Sequence, residues 1–181
     1  RVARGTTRAQ RAPRSGSERI EPMDVVLVHP EIPQNTGNVA RTCAAVGAAL
    51  HLVHPLGFSV SEKAVRRAGL DYWSLVSVIE HESIAEFIQS LGTARMLLFT
   101  SNSPNPLPQA ELPDEPILVF GSETRGLPVF LTTEYPSQTV RIPTISEARC
   151  LNLSNAVAVG VYDALRRTGY PGLQMSRATK L

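Results

Sequence analysis

From position 24 onward, short apolar runs alternate with segments whose apolar residues recur three and four positions apart. The runs are rich in Val, Leu and Ile, which is typical of strands that are buried on both faces. They predict six strands, at Asp24–His29, Leu50–Val53, Leu75–Ile79, Arg95–Thr100, Pro116–Phe120 and Thr139–Ile142.

The segments between these runs contain patterns of helical period. They predict helices at Asn38–Val46, Ser61–Ala68, Ser83–Ser90, Val129–Thr133 and Asn152–Arg167. Strands that alternate with helices indicate one α/β domain with a mostly parallel sheet, here 23–173. Ligands of such sheets bind beyond the carboxyl ends of the strands.

Composition adds little to this picture, but charge changes it. The hydrophobic fraction of 43% and the charged fraction of 19% are ordinary for a globular protein. Residues 1–22 contain six arginines against Glu18 and Glu21, so this segment carries +4 and leaves the rest of the chain at −2. We expect residues 1–22 to be a disordered basic tail and 174–181 a short C-terminal tail. Any RNA contact on the domain then requires a local arginine cluster.

The two cysteines and four histidines predict no special chemistry. Cys43 and Cys150 form no CxxC pair, so a reducing cytoplasm is the simplest compartment. The histidines lack the spacing of zinc ligands, and we interpret them as structural. No GxSxG elbow and no GxGxxG fingerprint is present.

Three loops that follow predicted strands carry unusual residues, the first of them at Asn35–Thr42. Gly37 is expected to form a tight turn there, and Asn35 or Asn38 to cap the following helix. Arg41 would then lie one turn into the helix, near the positive end of its dipole. Two interpretations remain open: a cation that meets an anionic ligand, or a surface arginine paired with Glu31.

The second loop is Phe120–Pro128, with the sequence FGSETRGLP. We expect Gly121, directly after a strand, to let the backbone approach a ligand. Leu127 occupies the position where a P-loop requires lysine, which excludes nucleoside triphosphate binding of that type. Glu123 and Arg125 could also be no more than a solvated pair.

The third loop follows Arg141 and leads into the last helix through Arg149–Val157. Asn152, Ser154 and Asn155 crowd the helix start, where one capping side chain would suffice. This excess favours a ligand loop, although capping alone remains possible.

In order and spacing, the three loops resemble the three motifs of the SPOUT RNA 2′-O-methyltransferases, and of their small TrmL type in particular. The matching segments are His29–Cys43, Phe120–Pro128 and Arg141–Tyr162, supported by Arg67–Tyr72 and Gly169–Gly172. The resemblance covers about 24–172. Each motif alone is weak, whereas the three together are specific.

The resemblance implies a fold and a cofactor. It implies a deep trefoil knot near the C-terminus and a homodimer in which both chains build each site. It also implies that S-adenosyl-methionine binds in the knot loops, largely through backbone groups and without a metal. The residues concerned are Phe99, Thr100, Gly121, Glu123, Gly126, Ile142, Cys150 and Leu151. For the dimer we expect apolar residues of the last helix to be available, namely Val157, Val161, Ala164 and Leu165.

The implied reaction is methylation of a ribose 2′-hydroxyl, with the wobble nucleotide of tRNA as the substrate. Arg41 is the implied catalytic residue. Since arginine has a pKa above about 12, stabilising an alkoxide and a nearby phosphate suits it better than acting as a base. Asn35, Arg149, Ser154 and Tyr162 are candidates for contacts to RNA or to the second subunit.

Three alternatives stay open at this stage. The substrate could be ribosomal RNA, or the chain could be an RNA-binding module of the same fold without activity. A small-molecule α/β enzyme would instead require no arginine cluster and would act without RNA.

Overall fold

One sheet of six parallel strands forms the centre of the protein. The computed structural model describes residues 23–60 and 72–176. The strands are β1 Asp24–Val28, β2 Ala49–Val53, β3 Val78–His81, β4 Met96–Phe99, β5 Ile117–Phe120 and β6 Thr139–Val140. Their order across the sheet is β3-β2-β1-β5-β4-β6, and every pairing is parallel. The predicted α/β class is therefore confirmed.

Both faces of the sheet are covered, which explains the continuous apolar runs of the strands. The described helices are α1 Pro33–Val46, α2 Ile84–Leu91, α3 Val129–Glu134 and α4 Leu153–Thr168. On one face, α1 and α4 pack side by side over a core that includes Val25, Leu52 and Leu118. On the other, Phe87 of α2 and Leu131 of α3 cover residues such as Val26.

Helix α1 begins five residues earlier than predicted. Pro33 occupies its first turn, where a fixed φ is favourable and the missing N–H is not needed. Gly37 lies buried inside the helix, so the tight turn expected there is wrong. Ile32 is the N-cap and forms no side-chain cap bond, so the capping expected of Asn35 or Asn38 is also wrong.

Other differences are small and lie at element ends. The third strand is Val78–His81, because Trp73–Leu75 forms a 3-10 turn instead of its predicted first half. The last strand ends at Val140, and Arg141 instead bridges to Pro106 of the loop after β4. The predicted helix Ser61–Ala68 and the basic tail 1–22 lie outside the described residues.

The strand order places a topological switch point at the middle of the sheet. Strands β1 and β5 are neighbours, yet the chain leaves β1 towards β2 at one side and reaches β5 from β4 at the other. Loops that follow such strands diverge and leave a crevice at the carboxyl edge. The second of the three segments singled out from the sequence follows β5, whereas the first, Asn35–Thr42, was predicted as a loop but lies inside α1, the helix that follows β1.

A glycine allows α4 to lie close against the sheet beside this crevice. The rings of Phe99 and Phe120 stack with centroids 4.3 Å apart. A Cβ on Gly160 would stand 2.8 Å from Cζ of Phe99, so a larger residue would push the helix away from these rings.

Within the described ranges, no helix combines the length and apolar character needed to cross a membrane.

Two histidines form a buried pair at the β3 side of the sheet. His51 Nδ1 and His81 Nε2 lie 2.8 Å apart with stacked rings, and His51 Nε2 is 3.5 Å from the Asp24 carboxylate. His54 contacts Glu80 at 2.8 Å. The prediction that the histidines have structural roles is thereby confirmed for His51, His54 and His81. Burial, and then the neighbouring His51, hold the pKa of His81 below its ordinary value, while Glu86 acts in the opposite direction.

This lowered pKa predicts a pH dependence of stability. Below pH about 6.5 the unfolded chain binds a proton at His81 that the folded protein resists, so the free energy of unfolding falls as pH falls. His81→Gln should remove this contribution, and the stability difference between wild type and variant should narrow from pH 6.5 towards 5. Urea unfolding at several pH values measures it. His54→Gln, which keeps the buried pair, should still lose stability over that range. Parallel pH curves for wild type and His81→Gln would contradict the prediction.

Candidate functional site

The carboxyl ends of β4, β5 and β6 bring the predicted ligand loops to one edge of the sheet. Phe99 ends β4 and Thr100 follows it, Gly121 follows β5, and Ile142 lies two residues beyond β6. The Thr100 N–H donates to the Val140 carbonyl at 3.0 Å, which ties the start of the loop after β4 to the end of β6. The Phe99 side chain is buried against Gly160, so a ligand at this edge would meet only its main chain.

The loop after β5 is closed by main-chain bonds between Ser122 and Gly126. Each N–H donates to the other residue's carbonyl, at 3.1 and 2.9 Å, and Gly126 has φ +67°. A Cβ on Gly121 would stand 1.9 Å from the carbonyl carbon of Gly126 and 2.1 Å from the Leu127 nitrogen. Glycine at 121 is thus required by the protein's own backbone. The expected close approach of this backbone to a ligand stays a prediction, and a substitution would disrupt the loop before any ligand binds.

Glu123 joins this loop to the start of α1. Its Oε2 accepts from the Glu31 N–H at 2.8 Å, and its Oε1 accepts from the Ile32 N–H at 3.2 Å and from Asn35 Nδ2 at 2.9 Å. A carboxylate suits this place because the amides before and at a helix start lack partners within the helix. Both oxygens of Glu123 are therefore engaged by the protein, which leaves its main chain for the predicted contact with a cofactor.

The network continues through two asparagines to the start of α4. Asn152 Nδ2 donates to Asn35 Oδ1 at 3.0 Å, and Asn152 Oδ1 accepts from both the N–H and the hydroxyl of Ser154. Asn152 is the N-cap of α4. Capping, the simpler alternative, is confirmed for Asn152. Asn35 and Ser154 are buried and hydrogen-bonded, so their side chains are not presented to RNA or to a second subunit, contrary to expectation.

Arg41 lies in the third turn of α1 and is exposed. Since α1 begins at Pro33, the expected position near the positive end of the helix dipole is wrong. The alternative pairing with Glu31 is also absent, because Glu31 accepts the Thr124 hydroxyl at 2.8 Å. The guanidinium lies instead over the ring of Tyr72, with Cζ 4.6 Å from the centroid. Tyr72 ends the Arg67–Tyr72 motif, but the sequence did not identify it as a site residue.

The remaining arginines of the loops are exposed as well. Arg125, Arg141 and Arg149 lie on the loops after β5 and β6, and none is paired with an acidic side chain of the described ranges. Tyr162 is 48% exposed on α4. Arg149 and Tyr162 are therefore exposed, as their predicted roles require, and the roles themselves stay predictions.

The loop from Arg141 to α4 is the most open part of this edge. Cys150 and Leu151 are exposed, and Ile145 is 72% exposed. The Ala148 N–H donates to the Ile145 carbonyl at 3.1 Å, which folds the loop back on itself. Among the described residues, no group of three or more His, Cys, Asp or Glu is arranged to hold a metal ion.

Comparison with known proteins matches most of the chain. The SpoU rRNA Methylase family matches residues 22–162. The tRNA (cytidine(34)-2'-O)-methyltransferase of Escherichia coli is 42% identical over 151 residues, which cover 83% of this chain and 96% of that protein. A structure described as "Structural insights into the 2-OH methylation of C/U34 on tRNA" has a TM-score of 0.77 and 43% identity, covering 82% of this chain and 97% of the other.

A more distant likeness shows the same fold. The SpoU methyltransferase AviRb from Streptomyces viridochromogenes, in complex with the cofactor AdoMet, has a TM-score of 0.69 and 24% identity. The match covers 86% of this chain and 60% of that one.

The Glu123 network predicts a specific loss of stability. Glu123→Ala leaves two backbone N–H groups and an asparagine amide without their acceptor, and should lower the free energy of unfolding by about 2 kcal/mol. Hydrogen exchange at the Glu31 and Ile32 amides should accelerate at the same time. Arg125→Ala, an exposed truncation in the same loop, should change stability by no more than about 0.5 kcal/mol. Unchanged protection of both amides in Glu123→Ala would show that the network does not hold the helix start.

Proposed function

The chain belongs to the SpoU methylase family, and we propose that it transfers a methyl group from S-adenosyl-methionine to the ribose 2′-hydroxyl of nucleotide 34, a cytidine or uridine, of tRNA. The observation that carries the proposal is identity of 42% with a tRNA (cytidine(34)-2'-O)-methyltransferase over 96% of that protein's length. The family expected from the three loops is thereby confirmed.

Ribosomal RNA is the weaker candidate for the substrate. An AdoMet-bound rRNA methyltransferase from Sinorhizobium meliloti shares only 24% identity, and the match covers 57% of that chain. By contrast, the matches to proteins named for nucleotide 34 extend over nearly their whole length. Both comparisons favour tRNA.

The chemistry of the loops fits a cofactor held mainly by main-chain groups. Phe99 turns its ring inward, Gly121 has no side chain, and the loop through Ile142 to Leu151 is open. Cys150 and Leu151 lie on its exposed part, where the Leu151 side chain can cover an apolar ring. When bound, S-adenosyl-methionine supplies a methyl group already activated by its positive sulfur.

The main task of the protein is then to prepare the nucleophile. A ribose hydroxyl is a weak acid, so the developing alkoxide must be stabilised while the hydroxyl is held in line with the methyl. Arg41 is exposed and carries a permanent charge, and its N–H groups are not bound to other described residues. We assign it to donate to the alkoxide and to a neighbouring phosphate.

The role assigned to Arg41 predicts that its loss lowers the rate of methyl transfer but not the affinity for S-adenosyl-methionine. Arg41→Ala should lower single-turnover methylation of tRNA by about 100-fold, the scale of losing one donor to an oxyanion. Affinity for S-adenosyl-methionine should stay within about twofold, because that ligand is assigned to the other loops. Tritiated methyl transfer measures the rate, and mass spectrometry of nuclease digests locates the methyl group.

The control for this test is Arg166→Ala. Arg166 is an exposed arginine at the opposite end of α4 from the ligand loops, and its loss should leave the rate unchanged. A wild-type rate in Arg41→Ala would remove Arg41 from the mechanism. A methyl group found on another nucleotide, or only on ribosomal RNA, would overturn the proposed substrate.

The proposal includes the knot implied by the resemblance. The chain passes from β6 at the edge of the sheet to α4, which packs against β5 near its centre. On the way Arg141 pairs with the loop after β4, and Arg167 of α4 donates to the carbonyls of Leu107 and Ala110 in that same loop. These contacts support a C-terminal segment that is enclosed by the loop between β4 and β5.

The proposal also includes a homodimer, on different residues from those expected. Val157, Val161, Ala164 and Leu165 are all buried in the chain's own core and cannot form an interface. The opposite face of α4 carries Val159, 41% exposed, and Tyr162, 48% exposed. We assign this face, together with exposed Ile32 before the neighbouring α1, to a second copy of the chain.

A charge on this face should separate the subunits. Sedimentation of the wild type should give twice the chain mass of 19.6 kDa, and Val159→Glu should give the single mass at micromolar concentration. Val129→Glu places the same charge at a residue that is 77% exposed on α3 and should leave the dimer intact. A fully active wild-type monomer would contradict the assignment.

A further inference from the structure

The guanidinium of Arg41 is held on one side by an aromatic ring. Its Cζ lies 4.6 Å from the centroid of Tyr72, well inside the range of about 6 Å in which a cation is attracted to a ring face. Tyr72 is 38% exposed, so one side of the ring remains in solvent. The contact thus lies on the surface beside α1 and does not form part of the core.

The main chain at Tyr72 is held independently of Arg41. The Tyr72 carbonyl accepts the Leu75 N–H at 2.9 Å, which closes the 3-10 turn that follows it. Trp73 in this turn is half-buried against the core, and the turn contacts α1. The turn therefore fixes the point on the surface from which the ring extends towards Arg41.

A ring face orients a guanidinium without using its hydrogen-bond donors. A carboxylate would engage the N–H fork of Arg41 and neutralise its charge. The nearest candidate along the chain, Glu31, is bonded to Thr124 instead. No described residue accepts a hydrogen bond from Arg41, so nothing in the described ranges competes with a ligand for its N–H groups while the ring lies against its Cζ.

We propose that Tyr72 is a positioning residue for methyl transfer, whose ring holds the plane of the Arg41 guanidinium in the orientation that meets the 2′-oxygen. The inference rests on the function proposed above. An arginine side chain has many rotamers. By restricting them before the reaction, the ring reduces the side-chain entropy that Arg41 must lose to reach the transition state. The phenol hydroxyl has no part in this role.

Removal of the ring should slow the chemical step. Tyr72→Leu should lower the single-turnover rate about tenfold at saturating tRNA and cofactor, the scale of a partly exposed contact between a cation and a ring. Tyr72→Phe keeps the ring and should stay within about twofold of wild type. Leu75→Ala truncates a 61%-exposed side chain of the same turn and should change nothing. A wild-type rate for Tyr72→Leu, or an equal loss for Tyr72→Phe, overturns the inference.

A double-mutant cycle tests whether Tyr72 acts through Arg41. In an Arg41→Ala background, Tyr72→Leu should cause no further loss, because the group that the ring orients is gone. The thermal unfolding midpoint of Tyr72→Leu should match that of Leu75→Ala, since both side chains are exposed. A tenfold loss that persists without Arg41 would show that Tyr72 acts independently and would overturn the inference.

The contact itself can be measured without RNA. Protons on Cδ of Arg41 should show an upfield ring-current shift by NMR in the wild type and in Tyr72→Phe, but not in Tyr72→Leu. If the wild type methylates no tRNA and the shift is present, the proposed function fails and the contact stands. If it methylates tRNA and the shift is absent, the inference about Tyr72 fails and the function stands.

Discussion

The candidate active edge of this protein depends on one carboxylate placed at the switch point of a parallel sheet. Glu123 reaches from the loop after β5 to the first amides of α1, and Asn35 extends the same network to Asn152 at the start of α4. Strands β1 and β5 are neighbours, so the two loops emerge side by side and would otherwise diverge. The network fixes three elements that are distant in sequence, and with them the directions in which Arg41 and the third loop point.

At this edge the surface of the proposed cofactor loops is formed mainly by main-chain groups and not by side chains. Around the proposed cofactor loops the side chains turn inward or are missing: Phe99 packs near Gly160, and Gly121 leaves no room for a Cβ beside the backbone of Leu127. Such close contacts leave main-chain groups at the surface and make the loops intolerant of added atoms. Function at this edge therefore constrains the core beneath it, since a bulkier residue at 160 would move α4 and the loop that precedes it.

The sequence predicted the architecture but not the start of α1 or the bonds of its polar residues. Apolar runs such as Ile117–Phe120 are visible because burial on both faces leaves no polar positions in them. By contrast, the segment from Pro30 to Gly37 has the composition of a turn, and only the acceptor supplied by Glu123, 91 residues beyond Ile32, makes it a helix start. Partners at such separation leave no local pattern. For the same reason the sequence placed the apolar residues of α4 at an interface, although Val157 and Val161 are covered by the chain's own sheet.

Charge is distributed unevenly at this edge, where we propose that RNA binds, although the chain as a whole is nearly neutral. The residues beyond position 22 carry a net charge of −2, which by itself would repel phosphate. Two acids beside the loops are engaged internally, Glu123 with amides and Glu31 with Thr124, whereas Glu147 lies exposed on the third loop. The loop arginines have no described acidic partner, and Arg41 rests on a ring that neither neutralises it nor occupies its donors. Because exposed charges are screened beyond about 10 Å, this local imbalance determines what the edge attracts, whatever the net charge of the whole chain.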